Sequence, residues 1–518
     1  MTISDIIEMN ENLETQDNDL VRIESSNGLE IYIYPRSINK LNESTFFIGK
    51  INDQKFLFIL TQDKKSSQIN DFDGELILNS NENIILKKCN LIHSNALKLQ
   101  ELFPFTKPIL LGLSNSFGFG DRLGIANSAH IRSLEGSDFK PVIAQQSIRE
   151  LTRTNRSADE VMDAAVWAVF QEGYKNGFGA DADHLKTVED IDRMIKAGFT
   201  MFTFDPSDYV INEADTLGLL DVENKVNELN WSGLEDSLTE LVNRYTSVSF
   251  NVSDDFLIVP NYEDVLRAAL KYGNAVAHIK LLYQHLESNY QDSAYEIEIS
   301  VDETESVTSP FEHFFIVSEL TRLGVKIISL APRFIGEFEK GIDYKGDLEL
   351  FKEEYLKHVI ISEYFGSYKI SLHSGSDKFD IYKAIGQLKR GYTHVKTAGT
   401  SYLEALKVIA KVNPNEFRKI LDFARSEFEK EKLTYHVSAD INNVFPSDKY
   451  SDDQLVELFT QNDARQVLHV TFGKVLTSTD EKGNLLFKEE IFNCLQKNED
   501  LHYHFLIEHF KNHLEPFN

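Results

Sequence analysis

The chain has 518 residues, 42% of them hydrophobic and 11% aromatic, enough to bury a large core and to build roughly two to four domains or one big barrel with an appendage. Its 53 Lys+Arg face 82 Asp+Glu for a formal net charge of −29, which argues against nucleic acid or an anionic membrane surface as a default partner and demands a local basic pocket for any anionic substrate. Two cysteines, Cys89 and Cys494, are too few for a disulfide framework, the acidic opening lacks a basic region followed by an apolar run, and no stretch reaches membrane-spanning length, so the expectation is a cytoplasmic protein.

Residues 1–105 read as an N-terminal β-rich domain. LEIYIYP, STFFIGKI, QKFLFILTQD, GELILN and NIILKKCNLI are short aromatic and β-branched runs, and Asn52-Asp53-Gln54 suggests a hairpin between the second and third. A cover for one barrel end, or a homo-oligomer contact, is the plain reading of this domain. From Ile109 strands alternate with helices, which is the grammar of a TIM-type β/α barrel over residues 106–518. Candidate strands begin at 109 (ILLGLS), 141 (PVIAQQS), 178 (FGADAD), 199 (FTMFTFD), 295 (YEIEISVD), 325 (VKIISLA), 368 (YKISLH), 393 (THVKT), 435 (YHVSAD) and 467 (VLHVTF). That is ten for eight places. Helix starts are signalled by capping boxes at Ser157/Glu160, Thr187/Asp190, Ser309/Glu312 and Ser401/Glu404, in which side chains satisfy orphan backbone N–H groups. Residues 206–290 read as an acidic, largely helical insertion suited to a lid or side domain.

Reactive side chains of such barrels gather at the carboxyl ends of the strands. Asp181 and Asp183 alternate inward with His184 and Lys186 just beyond, Asp205 closes the 199 strand, and Asp302, Glu303 and Glu305 follow the 295 strand. His373 ends the 368 strand, and His436 shares parity with Ser438 and Asp440. Imidazole plus carboxylate from separate strand ends assembles an open divalent-metal site, here expected from Glu303, His373 and His436, with Zn, Mn, Ni and Co equally admissible. A rim of solvated polar residues is the plain alternative, and it is the preferred reading for His394 and His469. Asp183, His184 and Asp205 remain as candidate bases, and Lys396 as an electrostatic aid. Arg122, Lys186 and Arg333 are candidate anion binders, with ion pairs to Asp121 or Glu337 as the alternative for the arginines; Ser376 and Thr400 flank the same loops. KTAGTS opens on a helix amino end, where free N–H groups favour an anion.

FGFGDRLGIA, FGADADHLK, SVDETESVTSPFEHFFI, APRFIGEFEKGIDYKGD, SLHSGSDKF and HVKTAGTSYLEAL together resemble the bacterial tagaturonate epimerases, over residues 105 to about 480. The resemblance implies a β/α-barrel isomerase of hexuronate catabolism that interconverts tagaturonate and fructuronate, anionic sugar acids, with a divalent metal. It points to Arg122, Asp183, His184, Glu303, Arg333, His373 and Lys396 as site positions. A retro-aldol route is expected, because the C4 hydrogen is not acidified by the C2 ketone. A class II aldolase or isomerase of a sugar phosphate, and a non-catalytic carbohydrate-binding barrel, are the competing readings.

Overall fold

The computed structural model describes residues 20–24, 28–63, 67–79, 84–290 and 294–517. The first strands form a seven-stranded antiparallel sheet: β1 (Val21–Glu24), β2 (Glu30–Ile33), β3 (Asn39–Leu41), β4 (Ser44–Ile51), β5 (Gln54–Thr61), β6 (Gly74–Asn79) and β7 (Ile85–Cys89). β4 and β5 pair along their whole length through a turn at Asn52 and Asp53, both with positive φ (50° and 65°), the twist that a two-residue hairpin needs. Phe46, Ile48, Leu57 and Ile59 on one face belong to the main core, while Phe47, Phe58 and Leu60 on the other join a separate small cluster.

Eight parallel strands then close a barrel in the order β8 (Ser116–Phe119), β9 (Lys140–Ser147), β10 (Gly179–Leu185), β11 (Met201–Phe204), β14 (Glu296–Ser300), β15 (Ser329–Ala331), β16 (Lys369–Leu372) and β17 (Tyr392–Thr397), with β17 returning to β8. Seven come from the expected windows. The eighth does not: Ile109 and Leu110 are half-exposed outside the barrel, and the strand is SFGF. Gly118 within it and Gly120 just after it hid it, since Gly weakens a strand signal. They are required by close approach, because a Cβ on Gly118 would lie 2.6 Å from Gln145 Oε1 and one on Gly120 2.5 Å from Thr397 O.

Two further windows are not strands. Residues 435–440 form an irregular loop, and the 467 window is helix (Asn462–Val470) followed by the helix Phe472–Thr477. Val467, Leu468, Val470 and Phe472 are all buried, and a short apolar run buried all round has the same local pattern in a helix as in a parallel strand. Three of the four capping boxes form as expected, at Ser157, Thr187 and Ser309. The fourth is displaced: the helix Thr400–Val412 is capped by Gly399, and Ser401 Oγ instead meets His130 Nε2 at 2.8 Å.

Between β11 and β14 lie short helices, a hairpin of β12 (Phe250–Ser253) and β13 (Phe256–Ile258), and the 28-residue helix Tyr262–Asn289. That helix packs on Val188–Lys196 and Pro310–Arg322, so it is a wall helix of the barrel and the added material is the stretch before it. After β17 the helices Thr400–Val412, Pro414–Glu431 and Asn462–Val470 share a second apolar core containing Leu403, Phe417 and Leu468. Each such buried side chain contributes about 1.5–3 kcal/mol. Among the described residues no helix is long and apolar enough to cross a membrane.

Candidate active site

The barrel axis at the carboxyl end of the strands is filled by charge. Lys396, on β17, points its ammonium at Asp181 (2.6 Å) and Asp183 (2.8 Å) from β10 and at Glu298 (2.7 Å) from β14, and donates to Thr203 Oγ1 on β11 (2.7 Å). Strand alternation sends all of these inward, and barrel closure brings β17 across to β10 and β14. Burial by itself would depress the lysine; the three carboxylates reverse this and hold it well above its ordinary range. Burial lifts Asp181 to about 6 against the pull of Lys396.

Above this layer sit two imidazoles, edge to face with centroids 5.1 Å apart. His184 takes a positive φ of 53° at the end of β10, which turns its ring into the mouth, where Nδ1 meets Asp205 Oδ2 at 3.1 Å and Nε2 lies 3.8 Å from Asp183 Oδ1. His373, just past β16, places Nε2 2.6 Å from Glu298 Oε1 and Nδ1 3.3 Å from Asp302 Oδ1. His373 is buried and His184 nearly so, and desolvation would lower both pKa values; Asp183 and Asp205 push His184 up to about 10, and Asp302 leads the groups that push His373 up to about 9.

Asp183, His184 and His373 each present a ligand atom within 4.8 Å of the others, and His184, Asp205 and Glu303 form an overlapping group. Two imidazoles and a carboxylate make a donor set for a divalent transition metal. The surroundings fit such an ion. Asp205 and Glu298 hold one nitrogen of each ring in the way that orients a ligating histidine, and Glu298 Oε2 is buried with no hydrogen-bond partner.

The expected trio of Glu303, His373 and His436 lines one mouth cleft, but its three residues do not fall within a single metal-capable group among the described residues. His436 stands on the irregular loop at the rim, half-exposed and hydrogen-bonded to Glu337, and belongs to neither group, because its window never joins the barrel. Glu303 lines the mouth and pairs with Arg149 at 3.1 Å. Arg122 is buried, with Nε on Glu150 Oε1 (3.0 Å), a second nitrogen on His469 O (3.1 Å) and its plane over Phe472; it forms an ion pair, with Glu150 and not with Asp121. Arg333 lines the mouth cleft and makes no ion pair or side-chain hydrogen bond to another described residue; Glu337 pairs with His436 instead. Lys186 reaches Ser207 (2.8 Å) and Asp208 (2.7 Å) at the edge. Ser376 lines the cleft floor and accepts from the Ala398 amide, whereas Thr400 is turned away to Asp377 and His509. His394 is a core residue on Ser116.

Three residues escaped the sequence reading. Glu298 was legible, since Glu296, Glu298 and Ser300 alternate with isoleucines on a buried strand. Arg149, two residues beyond β9, and Lys340, in EKGID, carried no local signal. Lys340 donates to Ser374 Oγ (2.5 Å), and burial followed by the nearby Arg149 lowers its pKa. The cleft that Arg149, Arg333, Lys340 and His373 line has a volume of about 250 Å³.

A closed parallel barrel whose mouth joins imidazoles, carboxylates and, in Arg333, a cation with no ion pair among the described residues has the architecture of a β/α-barrel enzyme. The chain belongs to the tagaturonate epimerase family (UxaE), whose sequence model matches residues 34–517. It is 42% identical over 483 residues to the tagaturonate/fructuronate epimerase of Thermotoga maritima, covering 93% of this chain and 96% of that protein. Native and glycerol-bound crystal structures of the fructuronate-tagaturonate epimerase UxaE of Cohnella laeviribosi are 39% identical, with a TM-score of 0.88 over 94% of this chain and 96% of theirs.

Proposed function

We propose that this protein interconverts tagaturonate and fructuronate by C4 epimerisation with a divalent metal ion. The observation that carries the reading is the Asp183–His184–His373 group lying under a cleft whose cations include the unpaired Arg333. A divalent ion held by those three residues would supply Lewis-acid stabilisation of negative charge on the sugar's C2 and C3 oxygens.

The chain's own groups account for the rest. Arg333 offers a planar fork to the C6 carboxylate and Lys340 a second charge beside it. Glu303, at the mouth and outside the trio, would take the C4 hydroxyl proton in this reading. The C3–C4 bond then breaks, its electron pair passing to C3 and the C2 carbonyl as an enediolate, while C4 becomes an aldehyde on the fragment bearing the carboxylate. Lys396, fixed among Asp181, Asp183 and Glu298, adds a permanent positive charge beneath the enediolate. Rotation of the aldehyde presents its other face, the bond re-forms, and the proton returns to the C4 oxygen. The segment 206–260 beside the mouth is suited to keeping the fragments in place.

The test is the reaction in deuterated water followed by NMR. Retention of the original hydrogen at C4 in the product epimer is expected, together with loss of turnover in chelator. Solvent deuterium at C4 in every turnover would overturn the route in favour of direct deprotonation.

A further inference from the structure

Between the N-terminal sheet and the barrel wall lies a cavity of about 670 Å³, larger than the mouth cleft and within the range that takes a metabolite-sized molecule. It is walled by three separated parts of the chain: β4 and β5 with Lys50 and Lys55, the helix Ala158–Gln171 with Trp167, and the C-terminal helix Glu499–Leu514 with Glu499 and His502.

Its charged lining is Lys50, Lys55, Arg122, Arg156 and Lys488 with Asp53, Glu160, Asp163 and Glu499. The ammonium groups of Lys50 and Lys55 both close on the one carboxylate of Glu499, leaving a surplus cation in that corner. Arg156 spends its guanidinium on backbone carbonyls alone, Asp121 O at 2.5 Å and Glu160 O at 3.1 Å, with no carboxylate at ion-pair distance among the described residues. Gly124 exists in this place for it: a Cβ there would lie 2.7 Å from an Arg156 nitrogen.

Two ring nitrogens in the same walls, Trp167 Nε1 and His502 Nε2, are buried without a hydrogen-bond partner. Buried polar groups of this kind are nearly always paired, and an indole N–H can only donate, so the missing partner is an acceptor. Burial lowers His502 to about 4, which keeps it neutral and able to bond a hydroxyl from either side. Arg122 separates this cavity from the floor of the mouth cleft and lines both.

We propose that the cavity is a second binding site, distinct from the catalytic mouth, for a small polyol bearing an oxyanion, with Arg156 and the Lys50/Lys55 corner taking the charge and Trp167 and His502 the hydroxyls. Carboxylate and phosphate share this chemistry, and the test separates them.

Trp167 and Trp231 are the two tryptophans, so Trp231→Phe leaves Trp167 as the sole emitter at the cavity. The metal-loaded enzyme carrying that change is titrated with gluconate, glucose 6-phosphate and the neutral polyol glucitol. A saturable emission change is expected with at least one of the two anions and not with glucitol, weakened about ten- to a hundredfold by Arg156→Gln, the worth of a charge-assisted hydrogen bond. Hydrogen exchange of the unaltered enzyme gives a reading independent of any folding defect in Arg156→Gln: the same anion should protect the segments 90–92, 156–168 and 496–503. No saturable change with either anion overturns the site. So does a change that persists in Arg156→Gln but vanishes in His373→Ala, or protection confined to 373–376, since either places the probe in the catalytic mouth.

Discussion

Replacing Lys396 by methionine keeps most of the side-chain volume and removes the ammonium that holds Asp181, Asp183 and Glu298 together at 2.6–2.8 Å. All three carboxylates are buried, and Asp181 and Glu298 have no measurable exposure. Removing one partner of a buried ion pair costs about 3–5 kcal/mol, because the remaining charge is left in a medium that cannot solvate it. Three carboxylates share this one cation, so the loss should fall at the upper end of that range and not triple it, since the freed groups escape by taking up protons. The assay is urea unfolding at pH 7.5 in chelator, so that no bound ion substitutes for the ammonium, with the midpoint and slope compared between parent and variant. The companion variant is Lys396→Met combined with Asp181→Asn. Deleting one of the stranded charges should restore at least about 1 kcal/mol, a coupling that two independent sites would not show. A loss below about 1 kcal/mol for Lys396→Met, or strict additivity of the two changes, would refute the account of Lys396 as the counter-ion on which the inner layer depends.

Glu499 offers a pH test: burial alone would raise its pKa, but Lys55 and Lys50 hold its carboxyl far below the ordinary 4.5, so the stability it contributes is complete above pH 4.5 and is lost as pH falls through its folded value. Glu499→Gln should therefore cost about 3 kcal/mol at pH 7 and progressively less below pH 4.5 by urea midpoints, and a difference constant with pH would contradict the assignment. A Cβ on Gly399 would overlap the imidazole of His469, which is itself packed on Arg122, so Gly399→Ala should lose about 1–3 kcal/mol in thermal unfolding, while an unchanged melting point would mean that the ring has room to move. Arg333→Lys should reduce turnover of the ketouronates much more than residual turnover of the neutral ketose, because the fork is lost and the charge kept; Arg122→Lys should reduce both alike through its buried pair with Glu150, and the reverse pattern would exchange the two roles.

What the sequence determined by itself was whatever depends on neighbours a few residues away. Alternation placed seven of the eight barrel strands and put Asp183, Lys396 and the residues of the His373 loop on the inner side; three capping boxes marked helix starts that form as read, because their hydrogen bonds close within four residues. Local pattern failed where the same pattern serves two structures. VLHVTF is buried on every side and so has no period to distinguish helix from strand, and SFGF carries Gly118 and is followed by Gly120, whose reasons are the approach of Gln145 and Thr397, residues 27 and 277 positions away. The site itself was a tertiary decision. His436 reaches the rim of the mouth cleft from a loop and not from a barrel strand, while Glu298, Arg149 and Lys340 entered the mouth only because β14, the end of β9 and the loop after β15 meet there. Closure of the barrel sets Lys396 against carboxylates more than two hundred residues upstream on β10, and the energy of that meeting resides in the removal of water from charges that no short stretch of chain could bring together.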